Sequence, residues 1–130
     1  MTQKFKLTGI GDESADSIEK QLEMHQQLGW DYIELRNING TTIDTLDPGD
    51  FEKMAELLAD KGIKVSCLAS DVGKLSLGGP DYEFFSNDIN SLKKLLVYAQ
   101  KLNCKFIRVM GYKKGTLSPD EWRDESIRRL

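Results

Sequence analysis

The sequence predicts an α/β fold of four consecutive parallel βα units, half of a (β/α)8 barrel. Three observations predict it. Strand-like and helix-like segments alternate four times along 130 residues, which is room for one domain spanning 1–130. Three helix-to-strand junctions share one order of helix end, Gly or Asn, one residue, polar residue, strand: Leu28-Gly29-Trp30-Asp31-Tyr32-Ile33, Lys61-Gly62-Ile63-Lys64-Val65-Ser66 and Leu102-Asn103-Cys104-Lys105-Phe106-Ile107. A repeated βα unit argues for parallel strands joined by right-handed crossovers. Finally, the strands pair an apolar face with one that turns polar toward their C-terminal ends. A sheet sandwiched between helices needs central strands apolar on both sides, whereas a barrel interior with a reactive mouth does not.

The elements follow in order. Phe5 to Ile10 reads as the first strand, ending in Gly9-Ile10-Gly11. Asp16 starts the first helix as its cap, with Glu19 reaching back and Ile18, Leu22, His25 and Leu28 on its stripe; Gly29 ends it. Asp31 to Asn37 is the second strand, followed by a loop through Asn39-Gly40. Asp47 caps the second helix and Pro48 takes its first position, where the missing N–H costs nothing. Phe51, Met54, Ala55 and Leu58 form its buried stripe, and Lys61-Gly62 closes it. Lys64 to Ser70 is the third strand, and Asp71 to Asp81 a Gly- and Ser-rich loop. The third helix runs from about Tyr82 to Leu102, with Phe85, Ile89, Leu92, Leu96 and Ala99 at helical spacing. Lys105 to Met110 is the fourth strand. Ser118-Pro119-Asp120-Glu121 is a capping box that opens the fourth helix, which runs through Trp122 and Ile127 to Leu130. Four units in this length read as an N-terminal half whose exposed strand edges need a cover.

Composition narrows the function. Hydrophobic residues make up 39% and charged residues 30%, and the net charge is -3, a balance with no built-in attraction for nucleic acid or an anionic membrane. No apolar run approaches the roughly 20 residues of a bilayer span. The N-terminus is too polar for a signal peptide, which points to the cytoplasm. Cys67 and Cys104 form neither metal-ligand spacing nor a disulfide framework, and the scattered carboxylates and single His25 do not converge as a metal site would.

Strand parity then selects candidates. Ile33 and Leu35 face one side of the second strand, and Tyr32, Glu34 and Arg36 the other. On the fourth, Ile107 and Val109 oppose Phe106, Arg108 and Met110. On the third, Val65, Cys67 and Ala69 face the helices, opposite Ser66, Leu68 and Ser70, so Cys67 reads as a small buried hydrophobe. Glu34 and Arg108 can then meet inside, either as a buried ion pair that sets strand order or as a cluster that binds the hydroxyls or carboxylate of a small polar ligand. Ser70 ends the third strand, and Lys74 in Ser70-Asp71-Val72-Gly73-Lys74 can reach over the mouth to a phosphate or sugar oxygen. Asp12 and Glu13 read either as a site contact or, preferred, as acids favoured at a helix N-terminus, and His25 as a packing or helix-surface residue. Asp12 and Asp71 together admit an alternative, an open-sheet receiver-like regulatory or binding module, although the fifth strand with its lysine is missing.

The runs Tyr32-Ile33-Glu34-Leu35-Arg36, Gly62-Ile63-Lys64-Val65-Ser66, Ser70-Asp71-Val72-Gly73-Lys74 and Phe106-Ile107-Arg108-Val109 resemble the N-terminal half of the xylose-isomerase-like TIM barrels. That superfamily includes sugar phosphate isomerases/epimerases, inosose dehydratases and DNA-repair endonucleases. The resemblance implies a site at the C-terminal mouth of the barrel, with Glu34, Arg36, Ser70, Lys74 and Arg108 near the sugar. It implies a divalent metal, manganese, cobalt or magnesium, held by carboxylates and a histidine from later strands and therefore not by this chain. It also implies proton transfer beside a carbonyl of a sugar or polyol. Ser70, Asp71, Arg108 and Gly111 stand where some relatives carry histidines, which departs from the nuclease-like pattern. The partners so implied are a small sugar or polyol, with no nucleic acid and no membrane, and either a second copy or a separate C-terminal half. The fragment by itself is expected to be inactive.

Overall fold

A computed structural model describes residues 5–77 and 84–130. A short 3-10 turn, Gly11–Glu13, precedes helix α1 (Ile18–Gln27). Strand β1 (Tyr32–Leu35) runs into a hairpin of β2 (Asn37–Ile38) and β3 (Thr41–Thr42). Helix α2 (Pro48–Lys61), strand β4 (Lys64–Ala69), helix α3 (Phe84–Lys101), strand β5 (Ile107–Arg108) and helix α4 (Pro119–Arg129) follow. The main sheet has the order β1-β4-β5 and is parallel throughout. The fold is thus α/β with a parallel sheet, but among the described residues that sheet has three strands and is not closed.

The four-unit expectation needs correcting at the first strand. Phe5 to Ile10 reduces to one parallel bridge, Ile10 to Glu34, with the Glu34 N–H donating to Gly9 O at 2.9 Å. The reason is burial. Phe5 and Leu7 are 72% and 54% exposed, so no packing repays the entropy of ordering this edge. Its other side chains lean across the sheet instead: Lys6 Nζ donates to Tyr32 Oη at 2.8 Å, and Thr8 Oγ1 lies 3.0 Å from Ser66 Oγ on β4. The fourth strand is also shorter than Lys105 to Met110. Parallel pairing nevertheless resumes beyond it, where the Met110 N–H donates to Val72 O at 2.7 Å and Ser76 bridges Lys113.

Local chemistry explains the helix ends. Asp47 accepts from Gly49 N–H and Asp50 N–H, Pro48 follows, and Gly62 closes α2 at φ +66°. The Ser118–Glu121 capping box forms as expected. The cap of α1 is Ser17, not Asp16. Asp16 instead lends its carbonyl to Gln21 Nε2 and to the Asn39 N–H. Helix α3 turns Leu92, Leu95, Tyr98 and Ala99 to the core, and Leu96 is 55% exposed. Leu28 likewise leaves the α1 stripe for solvent. The expected helix start at Tyr82, and the part of the Asp71–Asp81 loop after Leu77, lie outside the described residues.

The core lies between one face of the sheet and the helices. Ile33, Leu35, Val65 and Leu68 pack with Ile18, Leu22, Phe51, Met54, Leu58 and Leu95, and Phe51 stacks on Tyr98 with ring centroids 3.8 Å apart. His25 is buried there, its ring nitrogens 2.9 Å from Gln21 O and 3.3 Å from Gly9 O and its ring edge-on to Trp30, which bears out its packing role.

A bulge corrects the strand parity. Ile33 pairs with Val65, but Glu34 pairs with Cys67 and Leu35 with Leu68. Ser66 is the extra residue, and such an insertion shifts every later side chain to the other face. Paired residues of parallel strands share a face, so Leu68 joins Leu35 in the core and Cys67 joins Glu34 on the uncovered face. This is the reverse of strict alternation.

Candidate functional site

The uncovered face carries Tyr32 and Glu34 on β1, Ser66 and Cys67 on β4, and Arg108 on β5. Glu34 and Arg108 do not form an ion pair. The strand order puts β4 between them, and two strand spacings come to about 9.5 Å. Cys67 occupies the gap. Burial is the main reason its thiol pKa is raised, and the Glu34 carboxylate adds to it, while a hydrogen bond from the Arg108 backbone opposes both. Arg108 folds over the C-terminal end of β4, its guanidinium 3.4 Å from Ala69 O and 3.3 Å from Ser70 O. Its buried Nε has no partner among the described residues. A buried donor without an acceptor costs about 1–3 kcal/mol.

Arg36 is placed differently. Its Nε donates to both Asp12 carboxylate oxygens, at 2.9 and 3.0 Å, and its Nη2 to Glu13 at 3.2 Å. Asn37 Nδ2 also donates to Asp12. The Asp12 side chain is only 7% exposed. Its hydrogen bond is the main reason the Arg36 pKa is raised. Asp12 and Glu13 are therefore partners of an arginine, rather than acids placed by a helix dipole. This cluster stands just beyond the C-terminal end of β1, and the rest of the Arg36 fork remains on the surface.

Ser70 is fully buried. Its hydroxyl donates to Arg108 O at 2.6 Å and accepts from the Val72 N–H at 3.4 Å, so it ties the ends of β4 and β5 together. Lys74 donates to Asp71 at 3.0 Å across an exposed i,i+3 pair, a contact worth little and easily exchanged. The structure thus joins Ser70 and Arg108 at the end of β4, leaves Glu34 a strand away beside Cys67, and pairs Arg36 with the acids of the Gly11–Glu13 turn and Lys74 with Asp71 of its own loop. Asp12 and Asp71, on which a receiver-like pocket would depend, are engaged separately, by Arg36 with Asn37 and by Lys74.

Sequence reasoning missed two elements here. The β2–β3 hairpin turns on Asn39 and Gly40, both left-handed at φ +52° and +80°. Asn-Gly between strand-like residues is the signal that could have found it. The hairpin matters because Asn37 holds Asp12 and Asn39 Oδ1 caps α1 at Ile18 N–H, 3.1 Å away. The loop after β4 is held by aspartates: Asp44 accepts from Asp71 N–H at 3.2 Å, and Asp88 from Gly73 N–H at 3.2 Å. Burial is the main reason the Asp88 pKa is raised. At Gly73, with φ +78°, a side chain would collide with Met110 O.

Among the described residues no three His, Cys, Asp or Glu side chains converge as a metal site would. No described helix is long and apolar enough to cross a membrane.

Residues 22–130 match the family model for the xylose isomerase-like TIM barrel. No curated protein matches the chain. In fold the chain is similar to a xylose isomerase-like TIM barrel protein from Mycobacterium smegmatis, solved in complex with magnesium. The TM-score is 0.58 at 19% identity, and the match covers 85% of this chain and 40% of that one. The chain therefore spans about two fifths of that relative's length.

Proposed function

The chain belongs to the xylose isomerase-like TIM barrel family, and from that premise we propose that it forms the N-terminal part of a sugar phosphate isomerase or epimerase. The observation that carries this reading is the polar group at the strand C-terminal ends, above all the Arg108 Nε that lacks a partner among the described residues. Active sites of (β/α)8 barrels sit at that end of the strands.

In this reading Arg108 and Glu34 meet the hydroxyls of a small sugar or polyol on the uncovered face. Arg36, held charged and oriented by Asp12, and Lys74, on a pair that exchanges readily, receive a carboxylate or phosphate at the rim. Ser70 positions Arg108 through its backbone. A divalent metal, manganese, cobalt or magnesium, belongs to the complete enzyme and takes its ligands from outside this chain. The magnesium in the solved relative supports that assignment. The soluble family fold supports a cytoplasmic protein that acts on small molecules.

The test is ligand titration of the isotopically labelled chain with a panel of ketoses, polyols and their phosphates, followed by backbone resonances. Saturable shifts at Glu34, Lys74 and Arg108, abolished by Arg108→Gln, are expected, with no turnover by residues 1–130 plus manganese. Shifts confined to other surfaces would sink the site, and robust turnover by this chain alone would overturn the proposed division of labour.

A further inference from the structure

At the end of the sheet opposite the candidate site, where β4 and β5 begin, a cleft of about 590 Å³ opens on the uncovered face. Small-molecule sites occupy roughly 300–1,000 Å³. Four neighbouring segments each bring one polar side chain to this cleft: Lys6 from the stretch ahead of the 3-10 turn, Tyr32 from β1, Lys64 from the start of β4, and Lys105 just before β5. Their order across the sheet follows from the Ile10–Glu34 bridge and the β1-β4-β5 pairing. Lys64 stands level with Tyr32. Lys6 Nζ donates to Tyr32 Oη at 2.8 Å and lies 4.8 Å from the ring centroid. That hydrogen bond is the main reason the phenol pKa is lowered, and the Lys64 charge adds to it.

Little offsets the three ammonium groups. No carboxylate is among the described residues lining the cleft. Asp31 lines an adjoining crevice and is the least of the influences on Lys6 and Tyr32. The lysines that do form ion pairs, Lys53, Lys74 and Lys101, stand elsewhere. A patch of three like charges in a chain of net charge -3 runs against the overall balance, and a concave patch of one sign concentrates ions of the other. The acidic chain as a whole disfavours a long nucleic-acid backbone, so the cleft suits a small anion. One phosphate ester carries at most about two negative charges, fewer than the three lysines supply, and neighbouring strands stand about 4.8 Å apart, so one phosphate does not span the row. Thr8 Oγ1 and Ser66 Oγ, 3.0 Å apart, add hydroxyls to the lining. Phe106 lines the same cleft and is 67% exposed, which leaves a ring face for a flat group to stack on.

We propose that this cleft binds a small molecule carrying a diphosphate, with Lys6, Lys64, Lys105 and the Tyr32 hydroxyl meeting the phosphate oxygens and Phe106 stacking on a flat ring joined to it. The site lies at the other end of the strands from the sugar reading and does not depend on it.

Calorimetric titration of the chain at low salt with inorganic phosphate, pyrophosphate and adenosine diphosphate tests it. Pyrophosphate and adenosine diphosphate are expected to bind one to one, each at least about tenfold tighter than phosphate. A Lys6→Gln, Lys64→Gln, Lys105→Gln variant should lose at least about tenfold in both, because charge-assisted hydrogen bonds are removed. Phe106→Ala should weaken adenosine diphosphate and leave pyrophosphate unchanged. Absence of saturable binding, equal affinity for phosphate and pyrophosphate, or an equal loss from Lys53→Gln, Lys101→Gln would overturn the proposal. Adenosine diphosphate bound equally well by Phe106→Ala would remove the stacked ring and overturn that half of it. If the triple variant fails to fold, pyrophosphate added to isotopically labelled wild type decides. Resonances of Thr8, Tyr32, Lys64 and Lys105 should shift, and shifts confined to Glu34, Lys74 and Arg108 would put the diphosphate at the other end of the strands and overturn the assignment.

Discussion

The two faces of one small sheet follow different rules. On the covered face Ile33, Leu35, Val65 and Leu68 are buried against three helices, and each contact there is fixed by packing. On the uncovered face Glu34, Cys67 and Arg108 lie in a row in which Arg108 Nε has no partner among the described residues and burial, then the carboxylate, raise the thiol pKa. A folded protein tolerates a row of that kind where the groups have work beyond stability. The difference between the faces depends on one inserted residue, Ser66. Were β4 to alternate strictly through Ser66, Cys67 would sit under the helices and Leu68 would stand in the open.

The largest effect should come from testing that insertion directly. Leu68→Ala removes a fully buried side chain and should cost about 2–5 kcal/mol, whereas Cys67→Ala next to it should cost no more than about 1 kcal/mol. Urea denaturation of the two variants measures both. The reverse ranking would mean that β4 alternates strictly and that the two faces have been exchanged.

What the sequence made legible was local. The Asp47-Pro48 start and Gly62 end of α2, and the Ser118–Glu121 box of α4, need only residues within one turn of each other, and both formed. The alternation of Ile33 and Leu35 against Glu34 also survived, because one buried face fixes register. The failures were non-local. The bulge at Ser66 follows from how β4 lies against β1, which β4 alone does not encode. Leu92, Leu95, Leu96 and Val97 give α3 apolar residues on several sides, and only contact with the sheet selects Leu95 over Leu96. Arg36 was read as inward-facing with Glu34, yet its partner is Asp12, 24 residues away. At the candidate site the residue types were readable, but which of them touch was not.

The Asp12 cluster sharpens the comparison at the next level of energy. Asp12 is almost fully buried and receives hydrogen bonds from Arg36 and Asn37. Asp12→Ala should therefore cost about 1–3 kcal/mol by stranding those donors, and it should broaden the Arg36 side-chain resonance. Lys74→Ala, which breaks an exposed pair, should stay within about 0.5 kcal/mol. Equal costs for the two would show that the Asp12 cluster is as solvated as the Lys74 pair.

A smaller effect is expected from acid, at helix α4. Hydrogen bonds from Arg128 and Arg129 lower the Glu125 pKa from 4.5 to about 2. A carboxylate depressed in the folded state stabilises it above the unfolded value, and that stability is lost as pH falls through the folded one. Thermal stability should therefore decline as pH drops from 4.5 toward 2, and Glu125→Gln should flatten that limb. An unchanged acid limb would remove the Arg128 and Arg129 contacts from the account of α4.

The smallest effect reads the uncovered face itself. Burial first, and then the Glu34 carboxylate, raise the Cys67 thiol pKa above its ordinary 9.0. The thiol should be protonated and slow to alkylate at neutral pH, since the thiolate is the nucleophile. In a Cys104→Ser background, iodoacetamide labelling followed against pH isolates this one thiol. Replacing Glu34 by Gln removes the negative charge beside it, so the inflection of the rate should move down while burial still holds it high. An inflection that stays put would take Glu34 out of reach of Cys67. The row would then be three separate side chains, and Arg108 alone would carry the case for a ligand on this face.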